Sequence, residues 1–129
     1  MARKALKIGI MPLKDYQERT IAIARGEYRP RKDEPKIWFE SLKALGEVMN
    51  NRNQELLRVI VRHEPDSLKE LAELTGRQVS NLSRTLSTME RVGLVKLKRN
   101  GRKISPEVVA TEFTVEFGIS TASAADSNK

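Results

Sequence analysis

The stretch QVSNLSRTLSTMERVGLV, residues 78–95, decides the fold. Before Gly93 its only apolar residues are Val79, Leu82, Leu86, Met89 and Val92, recurring at the spacing of one helical face. At about 100° per residue, Leu82, Leu86, Met89 and Gly93 fall in a narrow sector that must meet a core. Ser80, Arg84 and Arg91 point almost the opposite way, with Asn81 and Thr88 toward one flank and Ser83 toward the other. An ordinary solvated face is laced with long Glu and Lys side chains. This one is short and polar, with an arginine in its midst, a surface suited to close approach of the helix backbone to the edges of DNA bases.

The flanking segments extend the pattern. DSLKELAELTG, 66–76, offers Asp66 and Ser67 as helix-start residues, with Glu70 placed as in a capping box. Leu68, Leu71, Ala72 and Leu74 form its expected inner face, and Gly76 permits the positive φ of a tight turn. Residues 52–63 predict a helix that buries Leu56, Leu57, Ile60 and Val61 and stops at Pro65. On the other side, LVKLKRNGRKI, 94–104, alternates Val95 and Leu97 with Lys96 and Lys98, and Asn100-Gly101 suits a two-residue type I′ turn. Pro106 requires an edge, bulge or strand end. EFTVEF, 112–117, sets Phe113, Val115 and Phe117 against Glu112, Thr114 and Glu116, predicting a half-buried strand. Helix, helix, tight turn, helix and basic hairpin is the order of a winged helix-turn-helix.

Toward the N-terminus, ALKIGI, 5–10, alternates as a short strand, and Leu13, Tyr16, Thr20, Ile23 and Ala24 predict a helix ending at Gly26. After the polar connection EYRPRKDEP, Pro35 is expected to open another helix, with Trp38, Leu42, Leu45 and Met49 in one stripe. The expected division is a strand and helical extension at 1–51, serving a dimer or partner interface; a winged helix-turn-helix at 52–118; and a disordered tail at 119–129. The fold class expected is mainly α with a small antiparallel β-sheet, α+β.

The 129 residues carry a net charge of +7, and eight Lys/Arg against one Asp/Glu lie between 76 and 105. So concentrated a positive field suits a polyanion. With no cysteine and the single His63, disulfides, thiolate chemistry, common zinc patterns and His-based triads have no basis. No apolar run approaches a membrane span, and Lys7 and Pro12 interrupt any signal-like stretch, so a cytoplasmic location is expected. Asp33/Glu34 and Glu70/Glu73 are carboxylate neighbours at helix starts or on a solvated face, with no phosphate loop or nucleophile–base set. No enzyme, cofactor or metal is expected.

The expected DNA-contacting residues on the recognition helix, about 78–92, are Arg77, Gln78, Ser80, Asn81, Ser83, Arg84 and Thr88. Arginine can hold guanine O6 and N7 bidentately, and asparagine can do likewise with adenine. On the wing, 95–104, the expected contacts are Lys98, Arg99, Arg102 and Lys103, on phosphates or in the adjacent minor groove. Lysine on an edge strand also deters aggregation, which accounts for Lys96 and Lys98 but less well for three further cations around the tip.

From Ser67 to Lys103 the sequence resembles the MarR-type winged-helix regulators. Leu71, Ala72, Gly76, Ser83, Arg84, Leu86, Gly93, Leu94 and Val95 stand where that pattern places them, within residues 52–105. Arg77 departs at a place usually apolar, and Gln78 at one usually held by a Ser or Thr cap. The flanking TIAIARGEYRPRKDEPKIWFESLKAL is similar instead to small prokaryotic regulators often encoded beside toxin genes and regarded as antitoxins. Together these readings point to a sequence-specific transcriptional regulator on double-stranded DNA, expected to be a homodimer because the N-terminal extension exceeds what a winged domain needs and twofold dimers commonly read DNA half-sites. The alternative is an antitoxin that binds a toxin protein and represses its own operon.

Overall fold

The computed structural model describes residues 5–119. In chain order these form β1 (Ala5–Ile10), α1 (Leu13–Ala24), β2 (Ile37–Phe39), α2 (Leu42–Val48), α3 (Asn51–His63), α4 (Leu68–Thr75), α5 (Val79–Val92), β3 (Val95–Asn100), β4 (Lys103–Val108) and β5 (Glu112–Glu116). The fold is mixed α and β, with five helices and two small sheets among the described residues. None of these helices is long and apolar enough to cross a membrane.

The centre of the core comes from α3, α4 and α5, whose apolar residues recur at helical spacing. Leu56, Leu57 and Ile60, Leu68 and Leu71, and Leu82, Leu86 and Met89 converge with Leu94 and Val95 in one buried cluster. Complete burial of one such side chain stabilises by about 1.5–3 kcal/mol. Ser67 Oγ accepts the Glu70 N–H at 3.0 Å, while Glu70 Oε1 turns back to the Asp66 N–H, also at 3.0 Å. Between them the start of α4 is capped as Ser67 and Glu70 predict, although the reciprocal bond lands one residue earlier than in the usual box. Leu74 departs from its expected inner position and is 41% exposed, because Leu68 and Leu71 take the sector that meets α3 and α5.

The N-terminal segment supplies β1 and β2, which join β5 from the far end of the chain in a parallel three-stranded sheet of order β2-β1-β5; this corrects the expectation of a small antiparallel sheet alone. Ile8 pairs with Ile37 on one side and Val115 on the other. Ile8, Ile37 and Phe39 enter the same buried cluster as Leu56 and Met89, so the division expected at residue 51 falls within a shared core. The helix expected to open at Pro35 is also corrected. Ile37, Trp38 and Phe39 are a strand, and the helix begins only at Leu42, where Ser41 Oγ caps the Ala44 N–H at 3.0 Å. β-Branched and aromatic residues suit a strand that finds a partner, and β1 provides one that local spacing could not reveal.

Trp38 lies across Gly9 so closely that a Cβ there would stand 2.4 Å from the indole. Over the indole sits Arg19 of α1, its guanidinium 5.1 Å from the Trp38 ring and 5.7 Å from that of Tyr28. Glu34 accepts from Arg19 at 2.5 Å, from the Tyr28 hydroxyl and from the Arg31 N–H at 3.3 Å. The Arg19 hydrogen bond holds the Glu34 carboxyl below its ordinary range, against the opposing effect of burial. This knot ties α1, which buries no residue of its own, to the sheet. In β5 the expected alternation yields one half-buried residue, Phe113, while Val115 is 43% and the following Phe117 52% exposed. Of the expected disordered tail only Ile119 lies within the described residues.

Candidate nucleic-acid interface

Leu82, Leu86 and Met89 of α5 are fully buried and fix the rotation of the helix. Gly93 ends it at φ 98°, where its N–H and that of Leu94 return to Met89, the Leu94 bond at 2.8 Å. That left-handed conformation favours glycine. The rotation leaves Gln78, Ser80, Ser83, Arg84, Ser87 and Arg91 exposed, with Asn81, Thr85 and Thr88 half-buried along one flank. Val79, at the first turn, is 44% exposed and not part of the core. Gln78 precedes the helix in extended backbone without a side-chain cap. Thr88 Oγ1 donates to the Arg84 carbonyl at 3.2 Å, anchoring its hydroxyl to the helix.

Two residues expected to contact DNA are turned toward each other. Arg77 Nε donates to Asn81 Oδ1 at 2.8 Å and Nη2 to Thr85 Oγ1 at 3.2 Å, so Arg77 lies along the flank of α5. Its Nη1 is buried without an acceptor among the described residues. Burial lowers the Arg77 pKa, and the nearby charge of Arg52 lowers it further. Ser80, Ser83 and Arg84 form the exposed centre of the surface, flanked by Thr88; Asn81 has its oxygen engaged.

β3 and β4 form an antiparallel hairpin in which Asn100 pairs with Lys103, leaving Gly101 and Arg102 as the loop. The expected Asn100-Gly101 turn is therefore shifted by one residue. Only Gly101 in this loop has positive φ, 64°, as at the first position of a type II′ turn and unlike type I′, which needs two. The register that places Leu97 opposite buried Pro106 prevails over the dipeptide preference. Pro106 sits on the outer strand of a two-stranded sheet, where a missing N–H is tolerated.

Arg99, Arg102 and Lys103 are exposed and make no ion pair with the described residues. Lys98 is engaged: its Nζ lies 2.7 Å from Glu107 Oε2, and this hydrogen bond holds the Glu107 carboxyl below its ordinary range. The hairpin is fixed to α5 by Glu90, whose Oε2 accepts the Leu97 N–H at 3.0 Å. Sequence reasoning overlooked this residue, although it is the single acid in the most basic segment. It also overlooked Arg52, which belongs to a distant helix. Among the described residues no group of three or more His, Cys, Asp or Glu side chains gathers as a metal centre.

From Val48 in α2 to Val115 in β5, just over half its length, the chain matches the model of the HVO_A0114 family, and it belongs to that family. The matched region holds the three-helix core, the hairpin and most of β5. No curated protein matches the chain.

Proposed function

We propose that α3, α4, α5 and the β3–β4 hairpin act as a MarR-like winged helix-turn-helix, and that the protein is a sequence-specific transcriptional regulator on double-stranded DNA. One observation carries the reading: the exposed face of α5 is polar and centred on Arg84, and Glu90 fastens the cationic hairpin beside that helix. In this reading α5 enters the major groove, with Arg84, Ser80 and Ser83 toward base edges and Gln78 and Thr88 toward the backbone. Arg99, Arg102 and Lys103 then meet phosphates or the neighbouring minor groove. A homodimer suits this function, since twofold dimers read paired half-sites. Selection of bound sequences from random duplexes tests the reading: an enriched motif supports it, and binding without enrichment removes the sequence-specific role.

A second reading is favoured by α1, which exposes Leu13 at 56%, Tyr16 at 39% and Ile21 at 51% while burying no residue. Such a surface fits a protein partner, as an antitoxin requires, and is compatible with operon repression by the same chain. Co-expression with the product of the neighbouring gene, followed by capture with the chain carrying Leu13→Lys and Ile21→Lys, tests this reading, which expects capture to be lost. Undiminished capture would place the partner elsewhere.

A further inference from the structure

Arg77 is a half-buried cation whose donors meet only neutral oxygens. Nε and Nη2 reach Asn81 and Thr85, and among the described residues Nη1 has no acceptor and no carboxylate pairs with the guanidinium. The charge that acts on it is another cation, Arg52. Buried charges in proteins are ordinarily paired, so the arrangement calls for an anion. Both arginines line one cleft of about 490 Å³ between α3 and the α4–α5 turn, alongside Glu55, Thr75 and Gly76. Glu55 does not neutralise them, because its carboxylate is turned to Arg58 at 2.8 Å. Arg52 is exposed and makes no ion pair with the described residues.

We infer that this cleft binds a phosphate group, held by Arg52 and by Arg77 once its guanidinium turns away from Asn81 and Thr85. The turn exchanges two hydrogen bonds to neutral oxygens for a charge-assisted, bidentate one. It also frees Asn81 Oδ1, so the side-chain amide regains both the donor and the acceptor that adenine recognition uses. The phosphate is either that of a nucleic-acid backbone or a free phosphate ion. The first source rests on the function proposed above; the second stands without it.

The full chain and its Arg52→Gln variant, altered at an exposed side chain, are compared in two assays. The first is thermal unfolding in sodium phosphate against sodium chloride at matched ionic strength. A free-ion source raises the Tm of the unsubstituted protein by about 3–6 °C in phosphate, and the variant loses that rise. The second is binding to a DNA duplex across a salt series. A backbone source makes the variant bind roughly tenfold more weakly and flattens its salt slope by about one. Either result supports the site and identifies the source. An Arg52-dependent phosphate response in a protein that binds no DNA keeps the site and removes the DNA reading. If neither assay depends on Arg52, the site is overturned.

Discussion

Glu90 Oε2 accepts the Leu97 N–H at 3.0 Å, joining the last turn of α5 to the first half of the hairpin. The bond sets where the hairpin cations stand relative to Arg84. Glu90→Ala leaves the Leu97 N–H without that acceptor and should lower stability by about 1–2 kcal/mol in urea unfolding. Glu90→Gln, which keeps a neutral oxygen, should recover most of the loss. On the proposed function, Glu90→Ala should also weaken duplex binding at a temperature where the variant remains folded.

Arg84→Ala removes the exposed guanidinium at the centre of the α5 face without disturbing buried Leu82 or Leu86. Its expected effect is about 1–3 kcal/mol on the selected site and little on random duplex. Titrations of both duplexes at one salt concentration check it, and equal losses would remove Arg84 from base recognition.

Lys98 is held by Glu107 at 2.7 Å, so one hairpin cation is already neutralised within the protein. Glu107→Gln should release it, tightening binding to every duplex and making the salt slope steeper by up to about one. A salt series on specific and random DNA reads both effects. Stability should change little, since solvent screens an exposed pair of this kind.

Gly9→Ala would place its methyl 2.4 Å from the Trp38 ring and 2.8 Å from Pro35. Neither neighbour is the free end of a flexible chain, so overpacking should destabilise by about 1–3 kcal/mol. Denaturant unfolding gives the loss. Emission from Trp38, the protein's single tryptophan, should shift as the indole is lifted from β1 and from Arg19.

Glu34 titrates below its ordinary value of 4.5 because Arg19 donates to it. Its folded pKa is therefore depressed, and the stability it contributes is present above pH 4.5 and lost as the pH falls through the folded value. Unfolding free energies measured from neutral pH into this acid range should fall more steeply for the unsubstituted protein than for Glu34→Gln. Parallel curves would exclude Glu34 as a source of acid sensitivity.

The α3–α5 core was legible because its determinants are local: apolar residues at helical spacing, Ser67 with Glu70 at one start, and Gly76 and Gly93 at two ends. β2 was not. Trp38, Leu42, Leu45 and Met49 do fall on a helical stripe, and only the pairing of Ile37 with Ile8 and the seat of Trp38 on Gly9 override it. The hairpin was legible in place but not in register, because Leu97 opposite Pro106 outweighs the turn preference of Asn100-Gly101. At the candidate site, Arg84 and the exposed serines follow from helix geometry alone. The fold of Arg77 onto Asn81 and Thr85, four and eight residues ahead, lay within reach of that geometry, whereas the approach of Arg52 did not.

The parallel pairing of β1 with β5 has a consequence for how the chain is made. On the ribosome Ile8 emerges early, and its neighbour Val115 only after every intervening helix has left the exit tunnel. One edge of β1 therefore stays open through most of translation, because β2, the strand of this sheet made early, pairs with the opposite edge. Closure of the second edge is a late, long-range step, the kind that slows folding.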